Sequence, residues 1–372
     1  MPPPRVHLPS VHAQEAEECL FCPKLCRHAC PISTVDGRET TTPWGKMGLL
    51  ALVHRGALPL TAEHAAPWWA CTGCLRCAHH CDLGHEVAAT LLVGRAQALQ
   101  AGCAPRAAVD WLEQQVQRQA ALEQAARDLY GEALHAPAEH GYVPGCETVL
   151  EQPDLARRGW RLVRRLLGAP VRPVADACCG LDLLEAGDPA AFRAAARRMV
   201  ERLAALSGRV LFESAACLYA LRVVAPRLGV ELPPGAERWQ HIVELADELG
   251  EPRRPWPGRP EGPVRYHDPC KLGRGLGVYD APRRVLGRLL GRPPEEFARR
   301  RADAECCGAG GLLPVTLPEE AAAVAEARIE AHRRAGGGIV VTASPACARQ
   351  LATRGAPAVT LTEWLDEALR TG

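Results

Sequence analysis

Apolar and polar residues alternate along the second half of the chain in a way that predicts an α/β layer. Residues 192–206 and 319–335 carry apolar side chains at helical period. Short apolar or β-branched runs follow them at 210–212 and 338–342, and each predicts a strand. Another helical pattern follows each run. We therefore expect repeated helix–strand units that form an α/β layer.

The earlier part of the chain predicts helices, with little strand before residue 140. Helical stretches occur within 40–60 and 87–101, and residues 107–134 predict a long helical stretch that joins the cysteine-rich head to the duplicated half. A Pro-rich segment at 251–263 predicts a linker. The length of 372 residues also exceeds one ordinary domain, so several domains are expected.

Charge and composition exclude several classes of function. The 44 basic and 43 acidic residues leave a formal charge of +1, which indicates no nucleic-acid partner. All but three of the basic residues are Arg, which indicates a coding bias. No apolar run approaches the roughly 18–20 residues that span a bilayer, and the N-terminal stretch lacks the apolar segment of a secretory signal. We expect a cytoplasmic protein whose membrane association, if present, is made through partners.

Two compact runs of cysteines indicate metal chemistry among the seventeen cysteines of the chain. The second run has the C-x2-C-x2-C-x3-C spacing of [4Fe–4S] ligands, and the first has one extra residue. Structural zinc is the alternative, but zinc usually takes four cysteines as two well-separated pairs. The two runs are Cys19, Cys22, Cys26 and Cys30, then Cys71, Cys74, Cys77 and Cys81.

The fourth cysteine of each run is expected to serve the other cluster, as it does in two-cluster ferredoxins. This rule predicts one cluster on Cys19, Cys22, Cys26 and Cys81. It predicts the other on Cys71, Cys74, Cys77 and Cys30.

Eight further cysteines form a duplicated pattern, with copies offset by 124 to 130 residues. Each copy has a single cysteine, a Cys-Cys-Gly motif and a final cysteine. A period of this length indicates a duplicated domain. The copies are Cys146, Cys178, Cys179 and Cys217, then Cys270, Cys306, Cys307 and Cys347.

These motifs, with the HDPC sequence at 267–270 and TEWLDEAL near the C-terminus, resemble the iron–sulfur subunit of glycolate oxidase. They are also similar to a subunit of anaerobic glycerol-3-phosphate dehydrogenase and to heterodisulfide reductase-related proteins with CCG domains. The resemblance implies a multidomain α + α/β fold, in which an α-helical two-cluster ferredoxin-like head precedes two duplicated CCG α/β domains. The expected ranges are 1–105 for the head, 106–138 for a helical connector, 139–250 for the first CCG domain, 251–263 for the linker and 264–372 for the second CCG domain.

The resemblance implies two [4Fe–4S] clusters in the head and up to two more in the CCG domains. It implies an electron-transfer subunit of a flavoprotein complex that oxidises a 2-hydroxy acid such as glycolate or lactate. The expected partners are an FAD-containing dehydrogenase subunit and a membrane quinone or another acceptor. No residue is predicted to be catalytic, and whether the chain is itself an enzyme stays open.

The alternative is a heterodisulfide reductase-like catalytic subunit that reduces a disulfide or small substrate at a CCG-bound cluster. The fullest CCG pattern ends in C-x-x-C, whereas Ser214 and Ser344 occupy the first of those positions here. Four thiolates per copy match an ordinary cube, and a serine oxygen is a harder and poorer ligand. The substitutions favour electron transfer.

Overall fold

The computed structural model describes residues 5–371, which form two compact units. The first unit extends to Gln114 and also contains Asp182–Ala191 and Ala302–Glu330. The second contains Gln115–Leu181, Phe192–Arg301 and the chain from Ala331 onward. The expected ranges 1–105 and 264–372 include residues 1–4 and 372, which lie outside the described residues. The predicted domain boundaries stay predictions.

The first unit is helical, and the described chain has no strand before residue 140. Its core contains Trp68, Trp69 and Leu50, all fully buried. A Cβ atom on Gly94 would lie 2.8 Å from Leu50 Cδ1, so the helix packs closely against the core at this position. The helices are Ser10–Phe21, Pro31–Val35, Pro43–Arg55, Ala62–Trp69, Arg76–His79, Val87–Gln100, Arg106–Glu113, Leu313–Thr316 and parts of Leu181–Ala186 and Pro318–Arg334, with 3-10 turns at Arg27–Ala29 and Glu39–Thr41.

The second unit contains two four-stranded sheets in which every described strand pair is parallel. The strands are β1 His140–Val143, β2 Val171–Pro173, β3 Val210–Phe212, β4 Trp239–His241, β5 Val264–His267, β6 Glu295–Glu296, β7 Ile339–Thr342 and β8 Ala358–Thr360. The sheet orders are β2-β1-β3-β4 and β6-β5-β7-β8, so both copies have the same topology. Strands β3 and β7 confirm the strands predicted at 210–212 and 338–342.

Helices provide the crossovers that parallel strands need. The helices of the second unit are Gln115–Tyr130, Cys146–Glu151, Pro153–Leu167, most of Pro189–Ala204, Ala215–Tyr219, Ala225–Arg227, Ile242–Glu248, Asp280–Leu290, Pro345–Ala352 and Leu361–Thr371, with π-helical turns at Ala220–Val224 and Lys271–Gly275 and 3-10 turns at Gly131–Leu134 and Ala236–Arg238.

Within the second unit, helices of the two copies pack against each other and share one hydrophobic core. Pro153–Leu167 of the first copy packs against Leu361–Thr371 of the second. Between them, Arg161 donates two hydrogen bonds to the buried carboxylate of Asp366, at 2.5 and 3.0 Å. Trp256 of the Pro-rich segment packs against the same core, and its backbone N–H donates to the Leu289 carbonyl at 2.8 Å.

The long helical stretch predicted over residues 107–134 is present, and the structure divides it at Gln114. The part before this residue, Arg106–Glu113, packs against Leu313–Thr316 in the first unit. The part after it, Gln115–Tyr130, packs against Cys146–Glu151 in the second unit. Helical periodicity continues through the division, so it gives no sign that the packing neighbours change there.

A buried carboxyl group lies at the end of β3. Glu213 is 1% exposed, and its Oε1 accepts a hydrogen bond from Thr362 Oγ1 at 2.8 Å. Burial disfavours the charged form and raises the pKa of Glu213 from 4.5 to about 8. The structure therefore holds this carboxyl group neutral at neutral pH.

Replacing this group with Glu213→Gln should change how folding stability depends on pH. The unfolded chain ionises Glu213 above about pH 4.5 while the folded chain stays protonated to about pH 8. Wild-type stability should therefore fall over this window, by about 1.4 kcal/mol for each unit of pKa difference. The variant lacks this contribution, so its stability relative to wild type should rise from pH 5 to pH 8. Anaerobic denaturant titrations measure this difference.

Glu132 provides the control, because its side chain is exposed and far in sequence from the pair of Glu213 with Thr362. Glu132→Gln should retain the wild-type fall in stability. Identical pH profiles for wild type and Glu213→Gln would contradict the assignment of a neutral carboxyl group.

Candidate metal centres

The first set of head cysteines combines three residues of the first run with the last residue of the second. Cys19 lies near the end of the helix Ser10–Phe21. Burial raises the pKa of its thiol to about 12, and the thiols of Cys26, Cys22 and Cys81 add to this effect. These electrostatic interactions indicate that the four sulfur atoms lie close together.

The second set lines one cavity. Cys30 of the first run lies there with Cys71, Cys74 and Cys77 of the second, around about 320 Å³ of empty space that is partly open to solvent. Burial raises the pKa of Cys77 well above its ordinary value, followed by the effects of its neighbouring thiols. The remaining lining is mostly apolar and includes Pro31, Pro43, Leu75, Val87 and Ala88, together with Thr72 and the amine-bearing Lys46.

Left-handed backbone turns give the second run its shape. Gly73 has a φ of +61° and Leu75 a φ of +64°. Leu75 rarely adopts this conformation, because its Cβ atom disfavours positive φ. The short helix Arg76–His79 follows at once and carries Cys77. Consecutive cysteines therefore turn toward the same cavity.

These donor sets fit iron–sulfur clusters. Each set presents four thiols, the ligand number of a [4Fe–4S] cube. Thiols in a buried apolar site ionise only when positive charge is nearby, and the irons of a cluster supply it. The assignment of each cysteine as a ligand stays a prediction.

The first CCG set lies entirely in the second unit. Cys146 Sγ and Cys178 Sγ are 3.2 Å apart. Hydrogen bonds with Cys146 and Cys179 lower the pKa of Cys178 well below its ordinary value, because they stabilise its thiolate. Hydrogen bonds with Cys178 and Cys217 raise the pKa of Cys179. All four predicted cysteines of this copy therefore lie together.

The backbone conformation explains why glycine follows the two cysteines in each Cys-Cys-Gly motif. Gly180 has a φ of +83°, and its N–H donates to Cys178 Sγ at 3.3 Å. Gly308 has a φ of +88° and donates in the same way to Cys306 Sγ at 3.3 Å. A Cβ atom on Gly180 would lie 2.8 Å from Ala195 Cβ. Glycine therefore lets the backbone turn and present an amide to sulfur.

The two serines that replace the extra CCG cysteines cap helices. Ser214 Oγ accepts a hydrogen bond from the Cys217 N–H at 3.4 Å, at the start of Ala215–Tyr219. Ser344 Oγ accepts from the Cys347 N–H at 3.4 Å, at the start of Pro345–Ala352. Serine is a favoured N-cap residue. These hydroxyls therefore fix the backbone of the final cysteine in each copy.

The cysteines of the second CCG copy are divided between the compact units. Cys270 and Cys347 belong to the second unit, whereas Cys306 and Cys307 belong to the first. Near Cys270, the Asp268 carboxylate accepts two hydrogen bonds from Arg283, at 2.7 and 2.8 Å. This ion pair stabilises the turn that carries Cys270. The ligand role of this set stays a prediction.

Arg95 lies near the second head set and was not predicted from the sequence. Its guanidinium is buried and donates to the carbonyl oxygens of Cys71 at 3.0 Å and Trp68 at 3.0 Å. It also donates to Glu185 O at 2.7 Å and Gly311 O at 3.2 Å, both in the same unit. Since the chain is rich in arginine, no sequence signal distinguishes this one.

The helical unit with two cysteine sets, and the duplicated parallel sheets with Cys-Cys-Gly loops, define an iron–sulfur protein with a dicluster head and CCG domains. Residues 15–85 match the family model of the 4Fe-4S dicluster domain. Residues 140–222 and 264–352 match that of the CCG cysteine-rich domain. The chain therefore contains a 4Fe-4S dicluster domain and a duplicated CCG cysteine-rich domain, and its cofactors are multiple [4Fe–4S] clusters. These findings confirm the predicted family, fold class and cofactor type.

Curated relatives carry several functions. A subunit of the dihydromethanophenazine:CoB–CoM heterodisulfide reductase of Methanosarcina barkeri is 34% identical over 56% of this chain and 52% of its own length. A subunit of the fumarate reductase (CoM/CoB) of Methanothermobacter marburgensis is 28% identical over 56% of this chain and 40% of its own length. Lactate utilization protein A of Bacillus licheniformis is 23% identical over 56% of this chain and 88% of its own length. The chain thus spans about half the length of the heterodisulfide reductase relative.

Within residues 5–371, no helix has both the length and the apolar character needed to cross a membrane.

Substituting the motif glycine tests the first CCG set. Gly180→Ala should reduce the iron content by about four atoms per chain, because the new Cβ displaces the loop that carries Cys178 and Cys179. Iron and acid-labile sulfide analysis of anaerobically purified protein measures the loss. Gly168 has a φ of +61°, and a Cβ atom added there would meet no atom within 4 Å, so Gly168→Ala is the matched control and should retain full iron. Full iron in both variants would argue against a cluster in this set.

Substituting the capping serine separates helix capping from iron ligation. Ser214→Ala should lower the free energy of unfolding by about 1 kcal/mol, since it removes an N-cap hydrogen bond. Because Ser214 Oγ already accepts the Cys217 N–H, we expect it to act as a cap and not as a ligand, so the iron content should match wild type. Denaturation combined with iron analysis checks both results. Loss of iron from the folded variant would indicate that Ser214 is a ligand.

Proposed function

We propose that the chain is the iron–sulfur electron-transfer subunit of a flavoprotein oxidoreductase complex. The observation that carries this proposal is the crossed grouping of eight cysteines in the head. Bound clusters supply one-electron redox chemistry, while the protein sets burial, hydrogen bonding and solvent access. The proposed ligands of the first head cluster are Cys19, Cys22, Cys26 and Cys81; those of the second are Cys30, Cys71, Cys74 and Cys77.

The first head cluster is the proposed point of contact with a redox partner. Phe21, Leu25 and Leu83 stand next to or near its cysteines in the chain, and they are 82%, 60% and 61% exposed. Exposed apolar side chains of this size favour protein association. A redox protein that covered them would approach the thiols of Cys22, Cys26 and Cys81, which are themselves partly exposed.

The second head cluster is the proposed inner member of the relay. Gly310 and Gly311 follow the second Cys-Cys-Gly motif and lie against the backbone of Thr72 and Cys71 in the same unit. Side chains at either glycine would collide with this backbone, so the glycines permit close approach. The relay therefore continues toward the loop of Cys306 and Cys307, and the proposed CCG ligands complete it.

The proposed partner is an FAD-containing dehydrogenase subunit, and the proposed substrate of the complex is a 2-hydroxy acid such as glycolate or lactate. Two considerations support this assignment: the resemblance to the glycolate oxidase subunit, and the similarity to lactate utilization protein A. A membrane quinone or another carrier is the proposed acceptor. The free cysteines are compatible with a reducing compartment, and we propose a cytoplasmic location.

A second candidate function is reduction of a disulfide or small substrate at a CCG-bound cluster. Similarity to the heterodisulfide reductase of Methanosarcina barkeri favours it. The helix-capping roles of Ser214 and Ser344 weigh against it, because these residues stand where the fullest pattern has a fifth thiolate. Turnover of a disulfide by the isolated chain with an artificial reductant would favour this candidate.

Cysteine substitutions test the crossed ligand sets and the electron-transfer role. Full occupancy corresponds to roughly sixteen iron atoms per chain, and about eight would leave the CCG sets without clusters. Cys81→Ser should alter the same EPR signal as Cys19→Ser, and Cys30→Ser the same signal as Cys74→Ser, because each pair belongs to one set. Cys103 belongs to no set, so Cys103→Ser is the control. Grouping by sequence run instead would contradict the crossed sets.

A further inference from the structure

Lys46 is an unusual residue in this chain. It is one of three lysines, with Lys24 and Lys271, among 44 basic residues. Its side chain is 1% exposed, although lysine is almost never fully buried without a partner. The proposed function does not assign it a role.

The Lys46 amine contacts a proposed cluster ligand. Its Nζ donates a hydrogen bond to Cys30 Sγ at 3.8 Å, and its side chain lines the cavity of the second head set. Cys30 comes from the first run and joins the cysteines of the second. Within the described residues, no carboxylate forms a salt bridge with Lys46. Asp36 interacts with Lys46 electrostatically, but it accepts its hydrogen bond from Arg38 at 2.6 Å.

Local structure holds this amine in place. Thr42 caps the helix Pro43–Arg55 by accepting from the Gly45 N–H at 2.9 Å. The Lys46 N–H donates to the Thr42 carbonyl at 3.0 Å. A Cβ atom on Gly45 would lie 2.9 Å from Thr40 Cα, so the preceding turn packs directly on the helix start. Lys46 is thus fixed in the first turn of a capped helix.

The first head set has a different electrostatic environment. Within residues 5–371, no cationic side chain donates a hydrogen bond to any of its four cysteines. Among these described residues, the hydrogen bond of a buried amine to a cysteine sulfur is thus a feature of the second head set and not of the first.

We propose that Lys46 is a positioning residue that holds the second head cluster at the higher reduction potential of the two. Reduction adds one negative charge to the cluster and its thiolates. A fixed ammonium group nearby stabilises the reduced cluster by attracting this charge, and so raises the reduction potential. Electrons that enter at the first set then move to the second. This inference rests on the proposed head ligands.

Lysine fits this role better than arginine. Its ammonium is a compact charge on a flexible stem, whereas guanidinium is a planar group with a wide fork of donors. The amine lies beside one sulfur, and Pro31 and Pro43 line the same cavity. An arginine-rich chain therefore retains lysine at this position for a physical reason.

Redox titration monitored by EPR tests the inference on the intact chain. Lys46→Met should lower the midpoint potential of the second head cluster and leave the first unchanged. The expected change is about tenfold or more in the reduction equilibrium, which corresponds to about 59 mV for one electron. Lys46→Gln keeps an N–H donor without the charge, so its shift should be smaller. Cys30→Ser identifies the signal of the second cluster.

Lys24→Met is the matched control. Lys24 lies in the loop between Cys22 and Cys26, but its amine pairs with Glu39 and lies over the Trp44 ring, 4.0 Å from the ring centre. This variant should leave both potentials unchanged. If Lys46→Met loses iron, the redox titration is made on Lys46→Gln instead. Lys46 variants with full iron and unchanged potentials would overturn this inference but leave the proposed function standing. Wild-type protein that contains no head clusters would overturn the proposed function.

Discussion

The structure depends on bringing thiols from distant stretches of the chain into shared, buried sites. Burial alone keeps such thiols neutral, as the raised pKa of Cys19 and Cys77 shows. Iron supplies the missing positive charge, so cluster binding and folding of the helical unit stabilise each other. Arg95 adds hydrogen bonds that join the second run to Asp182–Ala191 and Ala302–Glu330. The proposed head cluster sites thus lie within this unit.

The two copies of the duplicated half share the conformation of the Cys-Cys-Gly loop but differ in the polar residues around it. Gly180 and Gly308 present the same amide to the same sulfur position, because both backbones adopt a positive φ. The surrounding polar groups differ. The first copy buries the neutral Glu213 at the end of β3, whereas the second stabilises its first turn through the pair of Asp268 with Arg283. Duplication therefore retains the geometry around sulfur while local electrostatics diverge.

Exposure and charge together give the proposed relay a direction. Exposed apolar side chains such as Phe21 lie close in sequence to cysteines of the first head set. In the second set, the buried amine of Lys46 contacts Cys30. The helical unit holds both head sets within one compact core, and the glycines after the second Cys-Cys-Gly motif bring the loop of Cys306 and Cys307 against it.

The sequence by itself determined the two cysteine runs, the duplication and the strands at β3 and β7, because spacing and periodicity are local properties of the chain. The crossed grouping in the head follows from how paired cysteine runs behave in ferredoxins. Only the tertiary structure decided that the helical stretch divides at Gln114, that Ser214 caps a helix and that Lys46 faces Cys30. Each of these depends on which neighbours pack against a residue, and no local pattern records those neighbours.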